Sequence, residues 1–137
     1  GDKNLINFPR PMIHDNSFNF SFSGLKTSLI NCVNKDKYNF DDIAASYQEA
    51  IVDTLIAKFE KAMNQYSVKS GIICGGVAAN KRLREKLDTL DMNIIYPSMK
   101  YCTDNADMIA YLAEHKFKKN KVDLSKDFSA YSRGMVL

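Results

Sequence analysis

The chain has 137 residues, 45% of them hydrophobic, which fits one domain with a real core and leaves no room for a second complete one. A net charge of +3 is too small to demand a nucleic-acid partner, and no apolar run approaches the ~20 residues that span a bilayer, so a soluble protein is expected. The three cysteines, Cys32, Cys74 and Cys102, lack metal-ligand spacing and lie in or beside apolar stretches, the pattern of reduced, buried thiols in the cytosol. The opening Gly1-Asp2 reads as a processed or engineered start, with no secretion-signal or transit pattern behind it. Along the chain, the first forty residues show no clear periodicity and carry Pro9, Pro11 and many Asn and Ser, which predicts a loop feeding a short helix over about 24–33. From Asp41 or Asp42, the residues Ile43, Tyr47, Ile51, Leu55, Phe59, Ala62 or Met63, and Tyr66 recur every three to four positions. Asp53, Lys58, Glu60 and Lys61 fall between them, so a long amphipathic helix with an acidic first turn is expected.

A strand at about 71–74, a helix at about 80–90 and a strand at about 92–96 follow as a βαβ unit, its strands parallel and joined by a right-handed crossover. Ligands in open α/β sheets bind beyond the carboxyl ends of the strands, so loops 75–80 and 97–104 should share a site. Thr103 can cap a last helix that begins near Asp104 and carries Ile109, Ala110, Leu112, Ala113 and Phe117 as apolar positions. Residues 118–137 read as an irregular tail of a single partial domain.

The densest signal is Ile72-Ile73-Cys74-Gly75-Gly76-Val77-Ala78-Ala79-Asn80, an apolar strand that runs into paired glycines and then directly into a helix. Glycine admits a ligand close to the backbone, and a helix N-terminus turns its unpaired N–H groups and positive dipole end towards it, so an anion is the natural guest. A tight turn that packs helix on strand gives the same pattern. Asp104, where the second loop meets a helix, is a hard ligand suited to a metal facing a bound phosphate, while ordinary capping by Thr103 is the competing explanation and Asp107 reads as a dipole acid. The chain has two histidines: His115 lies eleven residues beyond Asp104, roughly 16 Å along a continuous helix, too far to share an ion, and His14 reads as solvent-exposed. There is no HExxH, cysteine pair or nucleophile elbow.

In Phe20-Ser21-Phe22-Ser23-Gly24-Leu25-Lys26-Thr27 the phenylalanines face one side and the serines the other. Spacing admits two readings: a capping serine with core phenylalanines, or a ligand bordered by Ser23, Gly24 and Lys26. The cations Lys116, Lys118, Lys119 and Lys121 are explained by a helix terminus or by phosphate contact, and no role is assigned to them.

Taken together, Phe8-Pro9-Arg10-Pro11, Phe20 to Thr27, Asp42-Ile43-Ala44-Ala45-Ser46-Tyr47-Gln48, Gly75 to Asn80 with Arg82-Leu83-Arg84, and Cys102-Thr103-Asp104-Asn105-Ala106 resemble the C-terminal part of a bacterial-type TsaD protein. That family, the tRNA N6-adenosine threonylcarbamoyltransferases, was earlier described as O-sialoglycoprotein endopeptidases. The resemblance runs from about Phe8 to Phe117. It implies a helix-rich α/β fold, part of the second lobe of an actin/Hsp70/sugar-kinase-like architecture. It also implies transfer of threonylcarbamoyl from threonylcarbamoyl-AMP to N6 of the adenosine 3′ of the anticodon, an acyl transfer that needs a polarised carbonyl and a stabilised leaving group.

By resemblance, Gly75, Gly76 and Asn80 would contact the nucleotide and Asp104 would be a ligand of one divalent metal, iron or zinc; no catalytic residue is assigned. The family's paired metal histidines and acidic first-strand motif are absent from this sequence, so a metal held by this chain alone and activity of this chain alone are not expected. Implied partners are the upstream half of the protein, an adenine nucleotide, tRNA and proteins of the bacterial modification complex, in the cytoplasm and without a membrane. The alternatives are a nucleotide-dependent kinase of the same superfamily and a non-catalytic scaffold that docks through the long helix. Nothing here resembles a protease nucleophile or a zinc–glutamate pair.

Overall fold

Asn39 starts the longest element. Its side-chain oxygen accepts a hydrogen bond from the Asp42 amide at 2.8 Å, and its Nδ2 donates to the Asp42 carboxylate at 2.6 Å, closing the first turn of α2 (Phe40–Gln65) with a reciprocal pair. Asp41 and Asp42 lie in that turn, as the helix dipole favours, although the helix begins one residue ahead of them. The computed structural model describes residues 1–119 as two compact units, 1–103 and a second that opens at Asp104.

In the first unit α1 (Ser23–Asn34) precedes α2, and β1 (Ser70–Ile72), a 3-10 turn (Gly76–Ala79), α3 (Lys81–Leu87), β2 (Asn93–Ile95) and a second 3-10 turn (Met99–Tyr101) follow. The strands pair in parallel, Gly71 opposite Ile94 and Ile72 opposite Ile95, so the expected βαβ order stands, with a shorter helix and shorter strands than the sequence suggests. Helix-rich α/β is therefore the class observed.

α2 is the spine of this unit. Ile43 and Ala50 pack with Phe8 and Leu25, while Val52 and Ile56 pack with Leu83 and Leu87 of α3. A helix covered on more than one side needs more than one buried stripe, and this overturns the simple amphipathic reading for Lys58. Its side chain is 2% exposed; Nζ pairs with Asp15 and donates to the Ser17 carbonyl at 2.7 Å. Burying the aliphatic stem while the ammonium meets a carboxylate and a carbonyl is how a lysine is tolerated inside. Lys61 adds a bond to the Asp15 carbonyl at 2.6 Å, so two α2 lysines hold the proline-rich segment down.

Gly71 of β1 comes close to two α2 side chains: a Cβ built there would fall within 2.3 Å of the Phe59 ring and 2.8 Å of the Met63 sulfur, so any larger residue would force those side chains to move. At the start of α1, Phe22 occupies the cap position with no side-chain cap bond, and Ser23 is the first helical residue, so no serine caps this helix. Phe22 packs against the Phe8–Leu25 cluster and stacks with Phe20 at a centroid distance of 6.2 Å. The thiols differ from expectation: Cys102 is buried and Cys32 half-buried, but Cys74 is exposed because the chain has already left the sheet there.

The second unit contains α4 (Ala106–Lys118). Its cap is Asn105 rather than Thr103: Asn105 has extended backbone, and its side-chain oxygen accepts from the Met108 amide at 3.1 Å. Asp107 lies in the first turn, and His115, Lys116 and Lys118 in the last, each where the dipole prefers its charge. Lys118 ends the helix and Lys119 caps it; the rest of the expected irregular tail, and Lys121, lie outside the described residues. Among the described residues no helix is long and apolar enough to cross a membrane.

Candidate functional site

The end of β1 is shaped by one residue. Gly75 has φ +87° and ψ 180°, a conformation open essentially to glycine alone, and its carbonyl accepts from the Ala78 amide at 3.0 Å. Nothing lies within 4 Å of a Cβ placed at either Gly75 or Gly76, so open space faces both. The glycines do not enter an α-helix directly, as the sequence suggests. A four-residue 3-10 turn intervenes, anchored by Ala78, which is 1% exposed.

Asn80 then caps α3. Its Oδ1 accepts from the Leu83 amide at 2.9 Å, and its Nδ2 donates to Gln48 Oε1 at 2.9 Å. The residue expected to meet a ligand is thus fixed from both ends of its amide, with α2 supplying the second contact.

Arg84 reaches both of the loops expected to share a site. Its Nε donates to the Ala78 carbonyl at 2.6 Å, in the glycine turn, and its Nη2 donates to the Pro97 carbonyl at 2.7 Å, beyond β2. The same Nη2 approaches Cys102 Sγ at 3.1 Å, and the guanidinium lies 4.4 Å from the centroid of the Tyr96 ring. A planar fork with donors on several edges can hold two carbonyls and a ring face at once; a lysine cannot. Tyr96 in turn donates its hydroxyl to Asp88, and that hydrogen bond, which holds the phenol proton in place, is the main reason its pKa is pushed up.

On its other side α3 is clamped to α2. Arg82 binds Glu49 with both arms of its fork, Nε to Oε2 at 2.7 Å and Nη2 to Oε1 at 3.0 Å. Lys86 reaches Glu49 at 2.8 Å and also pairs with Asp53, which takes Arg10 Nε at 2.7 Å. Glu49 is 6% exposed, and the Arg82 guanidinium, ahead of the opposing effect of burial, holds its carboxyl down at about 2. Burial pulls Lys86 down, but Asp53 and Glu49 outweigh it and the net shift is upward.

Gly75, Gly76 and Asn80 therefore stand together in the first unit, whereas Asp104 is exposed and belongs to the second. As a metal ligand Asp104 offers one carboxylate, and among the described residues no three His, Cys, Asp or Glu side chains come together. The iron or zinc implied by the resemblance is not fitted by these residues. His14 is exposed, as expected.

Motif and spacing alone point to no role for Arg84, Gln48 or Glu49. One signal for the clamp was present: Glu49 and Asp53 are four apart on one helix, Arg82 and Lys86 four apart on another, so each pair shares a face and the two faces are complementary in charge. No local pattern announces Arg84, because its partners are two backbone carbonyls and a thiol.

Residues 1–111 match the family model described as TsaD, tRNA N6-adenosine threonylcarbamoyltransferase. A protein of Sulfurihydrogenibium sp. (strain YO3AOP1) named tRNA N6-adenosine threonylcarbamoyltransferase is 42% identical over 134 residues, 96% of this chain and 40% of its own length. Relatives of the same name from Thermosipho africanus (strain TCF52B) and Streptococcus pneumoniae serotype 2 (strain D39 / NCTC 7466) are 46% and 43% identical, over 87% and 85% of this chain. The chain spans about 40% of the length of such relatives.

Proposed function

The chain belongs to the TsaD family, tRNA N6-adenosine threonylcarbamoyltransferases, and from that premise we propose that it is part of an acyltransferase of tRNA modification, supplying one wall of the site for the adenylate donor. The full reaction is transfer of threonylcarbamoyl from threonylcarbamoyl-AMP to N6 of the adenosine 3′ of the anticodon, in the cytoplasm. In that reading the chain is the C-terminal part of the second lobe of an actin/Hsp70/sugar-kinase-like fold, and Gly75, Gly76 and Asn80 border the nucleotide.

The observation that carries the reading is the Gly75 conformation, φ +87°, with open space at both glycines beyond a parallel strand. Backbone of this kind is what a phosphate-bearing ligand requires, since a Cβ there would occupy the ligand's place. Asp104 supplies at most one ligand to a metal completed by residues from elsewhere. The partners are the segment that the longer relatives have beyond this chain, tRNA, and proteins of a modification complex.

The scaffold alternative would dock through α2, but Ile43, Ala50, Val52, Ile56 and Met63 of that helix are already buried within the chain. The kinase alternative has no support beyond the glycine turn, which ATP would fit as well.

Calorimetric titration of AMP tests the proposal, first into this chain and then into a mixture with the remaining segment of the Sulfurihydrogenibium relative. Binding that appears or tightens in the mixture and is weakened by Gly75→Ala supports it. Absence of binding in both samples overturns the nucleotide assignment.

A further inference from the structure

We propose that Arg84 is a positioning residue that locks the glycine turn to the loop after β2, so that the nucleotide-facing backbone and the chain leading to Asp104 are held in one fixed register. The proposal rests on the reading that the glycine turn meets a nucleotide.

Three observations converge on it. First, the guanidinium is the shared partner of both loops: the Ala78 carbonyl at 2.6 Å on one side, the Pro97 carbonyl at 2.7 Å and Cys102 Sγ at 3.1 Å on the other. Secondly, the fork is itself held flat by the Tyr96 ring at 4.4 Å, and Tyr96 is anchored through its hydroxyl to Asp88 at the end of α3. Thirdly, each loop also has its own short-range bonds. Ala78 and Asn80 amides donate to Gly75 and Val77 carbonyls, and Tyr101 and Cys102 amides to Ser98 and Met99 carbonyls. Each loop is therefore a small rigid turn, and Arg84 sets one turn against the other. Carbonyls bonded to a cation are among the stronger neutral-acceptor contacts, and two on one guanidinium fix an angle as well as a distance.

The neighbouring cations are accounted for differently. Arg82 and Lys86 face Glu49 and Asp53, so neither can stand in for Arg84 if it is removed.

The test is hydrogen–deuterium exchange on the parent chain, Arg84→Gln and Arg84→Lys, each mixed with the remaining segment of the Sulfurihydrogenibium relative and measured with and without AMP. Without AMP, exchange at the Ala78, Asn80, Tyr101 and Cys102 amides is expected to quicken by about tenfold in Arg84→Gln, while α2 amides keep their parent rates. Arg84→Lys, which keeps the charge but reaches only one acceptor, is expected to fall between them. If Arg84→Gln loses protection throughout α2, Arg84→Lys is the variant to read. Parent-like exchange at both turns in the variant read overturns the lock.

The ligand arm separates position from mere stability. In the parent, AMP should slow exchange in both turns; in the Arg84 variants it should slow only Ala78 and Asn80. Protection of both turns by AMP in the variants overturns the positioning role. No AMP protection anywhere in the parent overturns the nucleotide reading, and with it the role given to Arg84, whatever the ligand-free rates are.

Discussion

The two sides of α3 are built on opposite plans. Towards α2 the helix places two buried leucines, Leu83 and Leu87, and two cations, Arg82 and Lys86, against two acids, so each contact has a neighbour of the same kind. Towards the loops it places a single guanidinium that joins two turns. The difference separates stability from placement: the redundant side fixes where α3 lies, and the single contact fixes how the two loops lie on it. Substitutions on the first side should change the free energy of unfolding. Those on the second should change it less and act mainly on local exchange and ligand response.

The sharpest way to break this division is to remove its apolar half. Leu87→Ala empties a position that is 2% exposed, and we expect a loss of about 2–5 kcal/mol in urea unfolding. A loss under about 1 kcal/mol would mean that the α2–α3 face does not hold the unit together.

Glu49→Gln removes the shared acid and leaves Arg82 and Lys86 with Glu85 and Asp53. The expected cost is about 2 kcal/mol near neutral pH. Its pH dependence has a definite sign. The folded carboxyl is held at about 2 against an ordinary value of 4.5, so the folded state binds fewer protons than the unfolded state between those values. The contribution is complete above pH 4.5 and is lost as pH falls towards 2. The difference in stability between parent and Glu49→Gln should therefore shrink between pH 5 and pH 2.5, measured by chemical unfolding at each pH. A constant difference would remove the acid from the clamp.

Much of the first plan was legible in the sequence, and little of the second. The three-to-four spacing from Ile43 onwards announces α2, because burial of a stripe needs that period. It does not announce the burial of Lys58, which depends on the 15–17 segment folding across the helix, a contact between residues some forty positions apart. Gly75-Gly76 announces a turn, and Gly75 takes the left-handed region as the residue type allows. Whether a 3-10 turn or an α-helix follows is decided by Ala78 finding a core position, which local propensity does not encode. The cap of α4 went to Asn105 over Thr103 for a similar reason: both residue types cap well, and the backbone around them selects one.

Smaller effects lie on the loop side. Gly75→Ala forces a Cβ into φ +87°, and about 1–2 kcal/mol of destabilisation is expected, read as a lower urea midpoint with an unchanged slope. Asn80→Ala should cost about 1 kcal/mol through loss of the Leu83 cap. Asn80→Asp should keep most of that cap while losing the donor to Gln48, so an equal loss in both variants would shift the weight from the cap to the Gln48 contact.

Gly76→Ala should have the least effect on stability and the most diagnostic effect on binding. Gly76 lies outside the left-handed region and a Cβ there meets nothing within 4 Å, so the folded state accommodates the methyl group without strain. The unfolded chain loses freedom when glycine becomes alanine, so stability should be unchanged or higher by up to about 1 kcal/mol. In the proposed site, the same methyl group takes space that the nucleotide needs. AMP affinity of the complemented protein, measured by calorimetry, should then fall by about tenfold while the urea midpoint holds or rises. A fall in both would mean that Gly76 is required by the fold, and unchanged affinity would remove it from the nucleotide contacts. Because the fold tolerates alanine here, only a ligand accounts for a loss of affinity alone.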